Sequence, residues 1–280
     1  MTEYREIKTT AELAAYRKSL TEKGVKKIAM DFEAEFNLHV YGEHLCLIQV
    51  YDGADFLLID PLKIDRNELK AFLEMKSPVK LFFGADSDRM LVYKQFGIKI
   101  ASLFDIQHLV EVLELEKKGL DSVLASQLNV EVVKKKKFQR YNWLRRPLDE
   151  EAKEYALGDV EHLFRLSEVL MEQIVSRGLV EDMGFRIAAG HLDLDRKTVP
   201  GIFKTPAYKK MSGAQKEKYR RLVEIREEFA KKLNVPPNTI LTKQDLADIT
   251  YDTAAVKRVQ FNRKVRDGEK RRIIEAVIKS

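Results

Sequence analysis

Four acidic residues and a tyrosine occur in settings that favour a bound metal ion. Asp31 and Glu33 follow the apolar run in IAMDFE, Asp88 lies in LFFGADSDRM, and Tyr155 and Asp159 lie in EYALGDVEHL. Carboxylates that converge on one site repel each other and resist burial unless a cation compensates them. Hard divalent ions bind such oxygen ligands, and a pair of them is suited to phosphodiester chemistry. The residue types therefore predict a metal site with hydrolytic potential.

The spacing of these residues predicts which of them share a face. Asp31 and Glu33 are two apart, so they point to the same side of a strand. Tyr155 and Asp159 are four apart, so they share one face of a helix. Each motif alone has an ordinary alternative, namely a solvated strand end, an acid in the first turn of a helix, or a plain helix surface. Only their joint occurrence favours a site.

The position of the acid in LFFGADSDRM has an alternative two residues earlier. Asp88 lies close to a predicted helix N-terminus, where an acid is common. Asp86 is the better candidate for the N-cap of that helix. If the motif is shifted by two residues, Asp86 takes the metal-binding role instead.

The composition is typical of a folded, water-soluble protein. The 280 residues are 45% hydrophobic and 34% charged, and this length favours two domains. No apolar run approaches the roughly 18–20 residues of a membrane helix, and the polar start resembles no signal or transit peptide. The single cysteine, Cys46, cannot form an intrachain disulfide. We therefore expect a reduced, cytoplasmic setting without a membrane partner.

The charge is distributed unevenly along the chain. Residues 201–280 hold 20 Lys and Arg against 10 Asp and Glu, whereas residues 1–200 hold 30 against 34. An acidic body joined to a basic C-terminal part favours a polyanionic partner. The alternative is a helical domain whose charges are merely solvated.

The first half of the chain alternates strand and helix patterns. Residues 25–31 predict a strand, and LCLIQVYDGADFLLID predicts two more around the turn at Asp52-Gly53, which together form an antiparallel meander. The next elements predicted are helix 65–76, strand 79–83, helix 86–96, a short strand at Phe104 and helix 106–115. The fold class is therefore α/β, with a mixed sheet.

The second half is predicted to be helical. A loop covers the aperiodic stretch 132–147, and one long amphipathic helix follows Pro147. Pro200, Gly201 and Pro206 place a linker at 191–208 between a first domain, 1–190, and a small all-helical domain, 209–280. Thr242 is a candidate cap within that second domain.

The motifs together resemble the ribonuclease D family of 3′–5′ exonucleases, in the tyrosine branch of the four-acid superfamily. The resemblance covers roughly residues 25–190 through DFE, LFFGADSDRM, FDIQ and NWLRRPLDEEAKEYALGDV, and implies a ribonuclease H-like mixed-sheet domain. The stretch YRRLVEIREEFAKKLNVPPNTILTKQDLADI resembles the helicase-and-ribonuclease-D C-terminal domain. The family commonly carries two such domains, and this sequence shows one.

The resemblance implies a role for each motif residue. Asp31 would bridge two metal ions, Mg²⁺ or Mn²⁺, while Glu33 and Asp159 complete the first site and Asp88 helps to hold the second through water. Tyr155 would orient the attacking water. Position 154 is Glu rather than the histidine of the sister branch, which favours the tyrosine branch. His39, His44, His108, His162 and His191 lack zinc spacing.

Further residues are expected to contact nucleic acid. Phe32 stands where the family usually has threonine, so contacts to the terminal nucleotide are expected to differ. The basic and aromatic loop before the third motif suits phosphate tracking and base stacking. Trp143 also matches the family's structural tryptophan, which is the alternative to a substrate contact. The remaining predicted contacts are Lys134, Lys135, Lys136, Lys137, Arg140 and Arg145.

The function implied is a divalent-metal-dependent 3′–5′ exoribonuclease that releases nucleoside 5′-monophosphates, in the 3′-end processing of tRNA or other stable RNA. The partner would be nucleic acid, with RNA preferred and DNA possible, and no obligate protein partner is evident. A 3′–5′ DNA exonuclease is the first alternative, since the four acids do not distinguish the sugars. The second is a non-catalytic nucleic-acid-binding protein that keeps the fold.

Overall fold

The computed structural model describes residues 3–130, 137–190, 192–196 and 199–280. Its contacts divide the chain into two compact units, Met1–Ala34 with His44–Leu194, and Glu35–Glu43 with Asp195–Ser280. Among the described residues, no helix is both long and apolar enough to cross a membrane.

The first unit is built on a six-stranded mixed sheet in the order β1-β4-β3-β2-β5-β6. Strand β4 pairs parallel with β1 and antiparallel with β3, while β5 pairs parallel with β2 and β6. The mixed sheet predicted from the sequence is confirmed. The strands are β1 (Tyr4–Ile7), β2 (Lys27–Phe36), β3 (Glu43–Tyr51), β4 (Phe56–Ile59), β5 (Val79–Phe82) and β6 (Leu103–Asp105).

Helices cover both faces of this sheet. The first three pack their apolar faces on one side, and the others lie on the opposite side, so each face has its own hydrophobic cluster. This layering follows from the alternation of apolar side chains along strands buried on both faces. The helices are α1 (Thr10–Glu22), α2 (Arg66–Leu73), α3 (Asp86–Phe96), α4 (Gln107–Val112), α5 (Leu120–Leu128), α6 (Glu150–Glu161), α7 (Leu163–Ser176) and α8 (Val180–Ala189).

Strand β2 differs from its prediction in length, and the difference matters for the acidic motif. The strand ends at Phe36 rather than at residue 31, so Asp31 and Glu33 lie inside it. Ile28, Met30 and Phe32 are buried in the cluster with α1 to α3. Side chains alternate along a strand, so the two acids project from the opposite face.

The long helix expected after Pro147 is wrong, because the structure divides it at His162. Helix α6 ends at Glu161 and α7 begins at Leu163. The two helices serve different cores. Helix α6 buries Ala156 and Leu157 in a cluster with Trp143, whereas α7 packs into the cluster of α4 and α5. Val160, near the end of α6, already belongs to the α7 cluster, so the division lies where the chain passes from one cluster to the other.

The second unit is helical and has its own apolar core. Ile202 and Tyr208 belong to that core, although the sequence placed both in a linker. The predicted cap at Thr242 is confirmed, since its hydroxyl accepts the Asp245 N–H and Asp245 returns a bond to the Thr242 N–H. The helices are α9 (Pro206–Lys210), α10 (Gly213–Leu233), α11 (Pro237–Ile240), α12 (Lys243–Tyr251) and α13 (Asp267–Lys279).

Candidate active site

Three of the predicted acids form a compact cluster between a strand and a helix. Asp31 and Glu33 on β2 and Asp159 on α6 each place a carboxylate oxygen within 4.8 Å of the other two. All three side chains are partly buried. The cluster therefore joins two elements that are far apart in sequence.

Asp88 approaches the same cluster from the first turn of α3. Its negative charge is one of the causes that raise the pKa of both Asp31 and Glu33. Asp86 instead is exposed and lies 3.4 Å from the Arg89 guanidinium. The N-cap of α3 is Ala85 without a side-chain bond, so the expectation that Asp86 caps this helix is wrong. The geometry favours Asp88 over Asp86 for a role in the cluster.

The turn that leads into α3 is fixed by a carboxylate beneath it. Asp105, at the end of β6, accepts the backbone N–H of Gly84 at 2.8 Å and that of Ala85 at 2.8 Å. Gly84 has a φ of +77°, and a Cβ there would lie 3.2 Å from the side-chain oxygen of Gln107. Both features hold the backbone that orients Asp88. The sequence showed Asp105 only as part of FDIQ and gave no sign of this role.

The electrostatics of the cluster are unfavourable without a cation. Burial is the largest cause of a pKa well above the usual value for both Asp31 and Glu33, and neighbouring carboxylates add to it. Burial together with the charge of Asp105 raises the pKa of Asp88 to about 7. Burial together with the charge of Asp121 raises the pKa of Asp159 to about 7. The sequence prediction missed Asp121 as a neighbour of the site.

A hard divalent cation fits these residues. The donors are carboxylate oxygens, which Mg²⁺ and Mn²⁺ prefer as ligands. Those of Asp31, Glu33 and Asp159 lie close enough together to bind one ion. A bound cation favours the charged form of each carboxylate and so reverses the cause of the raised pKa values. The cluster thus has both the chemistry and the electrostatic need of a metal site.

Tyr155 lies one turn before Asp159, beside the acids. Burial, followed by the charges of Asp159 and Glu33, raises the pKa of its hydroxyl above the usual value. The hydroxyl is therefore protonated at neutral pH and can donate a hydrogen bond. The Phe138 ring stacks on the Tyr155 ring, with centroids 4.8 Å apart and planes at 29°.

The residues predicted to contact nucleic acid lie in different environments. Phe32 is buried on the far face of the sheet, edge-on to Phe82. Trp143 is buried in the cluster beside α6. Arg140 and Arg145 are exposed, and Lys137 is exposed and paired with Glu151. Lys134, Lys135 and Lys136 lie outside the described residues.

Arg146 belongs to the same basic loop but has a structural role. Its guanidinium binds Asp60 through two bonds, Nε to Oδ2 at 2.9 Å and Nη2 to Oδ1 at 2.8 Å. Its other donors reach the carbonyl oxygens of Cys46, Trp143 and Arg145. All of its N–H groups are therefore used within the protein.

Comparisons with known proteins agree on one family. A family model described as a 3′-5′ exonuclease matches residues 4–175. Ribonuclease D of Haemophilus influenzae is 28% identical over 212 residues, which cover 73% of this chain and 53% of that protein. Exosome complex component 10 of Homo sapiens is 31% identical over 153 residues, which cover 53% of this chain and 17% of that protein.

The fold is also that of solved structures. The crystal structure of Escherichia coli RNase D matches with a TM-score of 0.73 at 23% identity, covering 99% of this chain and 75% of that one. The chain spans about half the length of the Haemophilus relative and a smaller part of the human one.

Proposed function

The chain belongs to the 3′-5′ exonuclease family, and from that premise we propose that it is a divalent-metal-dependent 3′–5′ exoribonuclease. It would remove nucleotides one at a time and release nucleoside 5′-monophosphates. The observation that carries this proposal is the meeting of the Asp31, Glu33 and Asp159 carboxylates within 4.8 Å. The similar proteins named ribonuclease D and exosome component support RNA as the substrate.

The four acids would hold the metal ions. Asp31, Glu33 and Asp159 would ligate directly, because their carboxylate oxygens lie within 4.8 Å of one another. Asp88 would support the same site, since its charge acts on both Asp31 and Glu33. When bound, two divalent cations activate water and stabilise the leaving 3′ oxygen of the scissile phosphodiester. Mg²⁺ and Mn²⁺ both suit these oxygen ligands.

Tyr155 would act on the water that attacks the phosphorus. Its hydroxyl keeps its proton at neutral pH, because burial and the nearby acids raise its pKa. It therefore holds the water by a hydrogen bond rather than removing its proton. Removal of the hydroxyl should lower turnover while the acids keep their place, since orientation of reactants makes a large contribution to rate.

Basic residues would hold the body of the RNA. Residues 201–280 hold twice as many Lys and Arg as Asp and Glu, and Arg140 and Arg145 are exposed in the first unit. Phosphate contacts of this kind release counterions, so binding should weaken steeply with added salt. We propose the 3′ ends of tRNA precursors or other structured RNA as substrates, and the helical second unit as the element that holds them.

The experiment uses 5′-labelled RNA and a DNA oligonucleotide of the same sequence, each with Mg²⁺, Mn²⁺ or a chelator. We expect a one-nucleotide ladder on RNA that disappears with chelator and with Asp31→Asn. Asp86→Asn is the matched control, because Asp86 is exposed on the helix that carries Asp88. Equal degradation of RNA and DNA would contradict the RNA preference. Full-length RNA in every lane, with binding retained in a gel shift, would contradict the enzyme.

A further inference from the structure

Three aromatic rings form a cluster beside Tyr155, and two of them contact its ring. Phe138 stacks on Tyr155 at 4.8 Å, and Trp143 lies 6.4 Å from the same ring at 32°. Tyr141 meets Phe138 edge-on at 5.8 Å and Trp143 edge-on at 4.9 Å. All three rings come from residues 137–143, which we call the aromatic strap. Tyr155 is thus packed against a segment that holds none of the four acids.

The aromatic strap is tied to the helix that carries Tyr155. The Tyr141 hydroxyl donates to Asp149 Oδ2 at 3.0 Å and accepts the Asp149 backbone N–H at 3.2 Å. Asp149 is the N-cap residue of α6, and its own side chain makes no capping bond. At the start of the strap, Lys137 forms an ion pair with Glu151 in the first turn of α6. These contacts connect the strap to the start of α6 at Lys137 and at Tyr141.

The strap restricts the side-chain conformation of Tyr155, which the helix backbone alone does not fix. A tyrosine on a helix can rotate about its side-chain bonds, and each staggered rotamer places the hydroxyl differently. Ring stacking favours one plane, since aromatic pairs prefer an offset arrangement at this centroid separation. Phe138 is 3% exposed, so its ring is itself held by packing. The Tyr155 hydroxyl is therefore placed by contacts outside the acid cluster.

We propose that Phe138, held by the aromatic strap, is a positioning residue that fixes the Tyr155 hydroxyl for catalysis. This inference rests on the proposed function, because it assigns Tyr155 to the reaction. Phe138 would act through the Tyr155 ring on which it stacks. Its loss should lower turnover without changing the affinity for metal or RNA. A fault of about 1 Å in placement lowers rates by roughly 100-fold, so a fall of 10- to 100-fold is expected.

The test compares Phe138→Leu with Phe56→Leu. Phe56 packs against the same apolar cluster as Phe138, but its ring stacks on Tyr51, at 4.4 Å and 23°, so the control removes a ring from that cluster without removing one that stacks on Tyr155. For Phe138→Leu we expect a lower kcat on RNA, an unchanged KM, and an unchanged thermal shift with Mn²⁺. Phe138→Tyr keeps a ring at this position and should restore kcat. Phe56→Leu should leave kcat unchanged at temperatures below unfolding.

Two spectroscopic measurements report on the packing of the aromatic strap and do not depend on enzymatic activity. Trp143 is the only tryptophan of the chain and lies 6.5 Å from Phe138, so its emission reports on the cluster. Nuclear magnetic resonance signals of the Tyr155 ring should move in Phe138→Leu and in Tyr141→Phe, but not in Phe56→Leu. Tyr155→Phe identifies which signals belong to that ring.

The outcomes separate this inference from the function on which it rests. If Phe138→Leu keeps full kcat, or the Tyr155 signals do not move, Phe138 does not position the tyrosine, and the assignment of the acids is unaffected. Loss of kcat to the same extent in Phe56→Leu would also overturn the inference, because the effect would then be general destabilisation. If Asp31→Asn and Tyr155→Phe both keep full activity, the proposed function itself is wrong.

Discussion

Asp105 accepts the backbone N–H of Ala85 at 2.8 Å, and this bond links β6 to the start of the helix that carries Asp88. Both oxygens of the carboxylate accept hydrogen bonds. Its Oδ2 accepts from Ala85, and its Oδ1 accepts the backbone N–H groups of Gly84 and Gln107. An acid that is buried and faces backbone donors is a structural group rather than a metal ligand. Asp88 therefore depends for its place on a residue outside the cluster.

Asp105→Asn should disturb that place. The amide nitrogen cannot accept a hydrogen bond, so one backbone N–H is left unpaired in a buried setting, at a cost of about 1–3 kcal/mol. We expect a lower melting temperature and a kcat reduced more than in Asp86→Asn, the exposed control on the same helix. Calorimetry and the RNA assay measure the two effects. A variant as active and as stable as the wild type would refute this role of Asp105.

Asp31→Asn should stabilise the protein in the absence of metal. The substitution removes one charge from a cluster in which burial and neighbouring acids oppose ionisation. Relief of such strain at a functional site typically raises the free energy of unfolding by about 0.5–2 kcal/mol. Thermal unfolding in chelator should show the gain, and the stabilisation of the wild type by Mn²⁺ should be lost. A metal-dependent shift that survives in Asp31→Asn would contradict the assigned site.

Substitution of each of the two acids in the first turn of α3 by asparagine should affect activity very differently. Asp88→Asn should abolish or severely reduce activity on RNA, because Asp88 faces the cluster and Asp86 does not. Asp86→Asn loses only an exposed ion pair, which typically contributes about 0.2–1 kcal/mol. Steady-state kinetics on both variants decide the matter. Activity that depends on Asp86 instead would show that the motif is shifted by two residues.

Stability should rise with pH through the titration of a buried lysine. Lys80 is fully buried and donates to the carbonyl oxygens of Met75 and Ala101, and burial lowers its pKa from 10.5 to about 8. Between pH 8 and 10.5 the unfolded chain binds a proton that the folded protein has lost, so the free energy of unfolding increases with pH. The gain is at most about 3.5 kcal/mol, at about 1.4 kcal/mol for each of the roughly 2.5 pKa units.

Lys80→Met isolates this effect from other groups that titrate in the same range. Denaturant unfolding of both proteins at pH 7.5 and pH 10 gives the comparison. The free energy of unfolding of the wild type, minus that of Lys80→Met, should increase as the pH rises. A difference that stays constant across this range would show that Lys80 keeps its ordinary pKa.

The sequence predicted those parts of the site that depend on local periodicity. Two residues along a strand and four along a helix share a face whatever the rest of the chain does, so Asp31 with Glu33 and Tyr155 with Asp159 could be paired in advance. The mixed sheet followed from connection lengths, because the first strands are too close together for crossover helices and the later ones are separated by helices. These relationships need no knowledge of which elements pack together.

The parts that were missed depend on tertiary contacts. Residues 161–163 carry no proline or glycine that would end a helix, and the clusters on which α6 and α7 pack are defined only by the folded chain. The role of Asp105 exists only because β6 lies beside the turn before α3. Tyr141 reads as one more aromatic residue of a basic loop until its hydroxyl is seen at Asp149.

Strand β2 carries the acids on one face and core residues on the other, and this arrangement excludes insertions and deletions of a single residue within the strand. Insertion or deletion of one residue before Asp31 would turn Phe32 toward the metal site and the acids into the apolar core. The turn at Gly53, between β3 and β4, carries exposed residues and can accept a change of length. Insertions and deletions in this protein are therefore expected in its turns. The number of residues in β2 before Asp31 must stay the same, so that the acids and the core residues keep their faces.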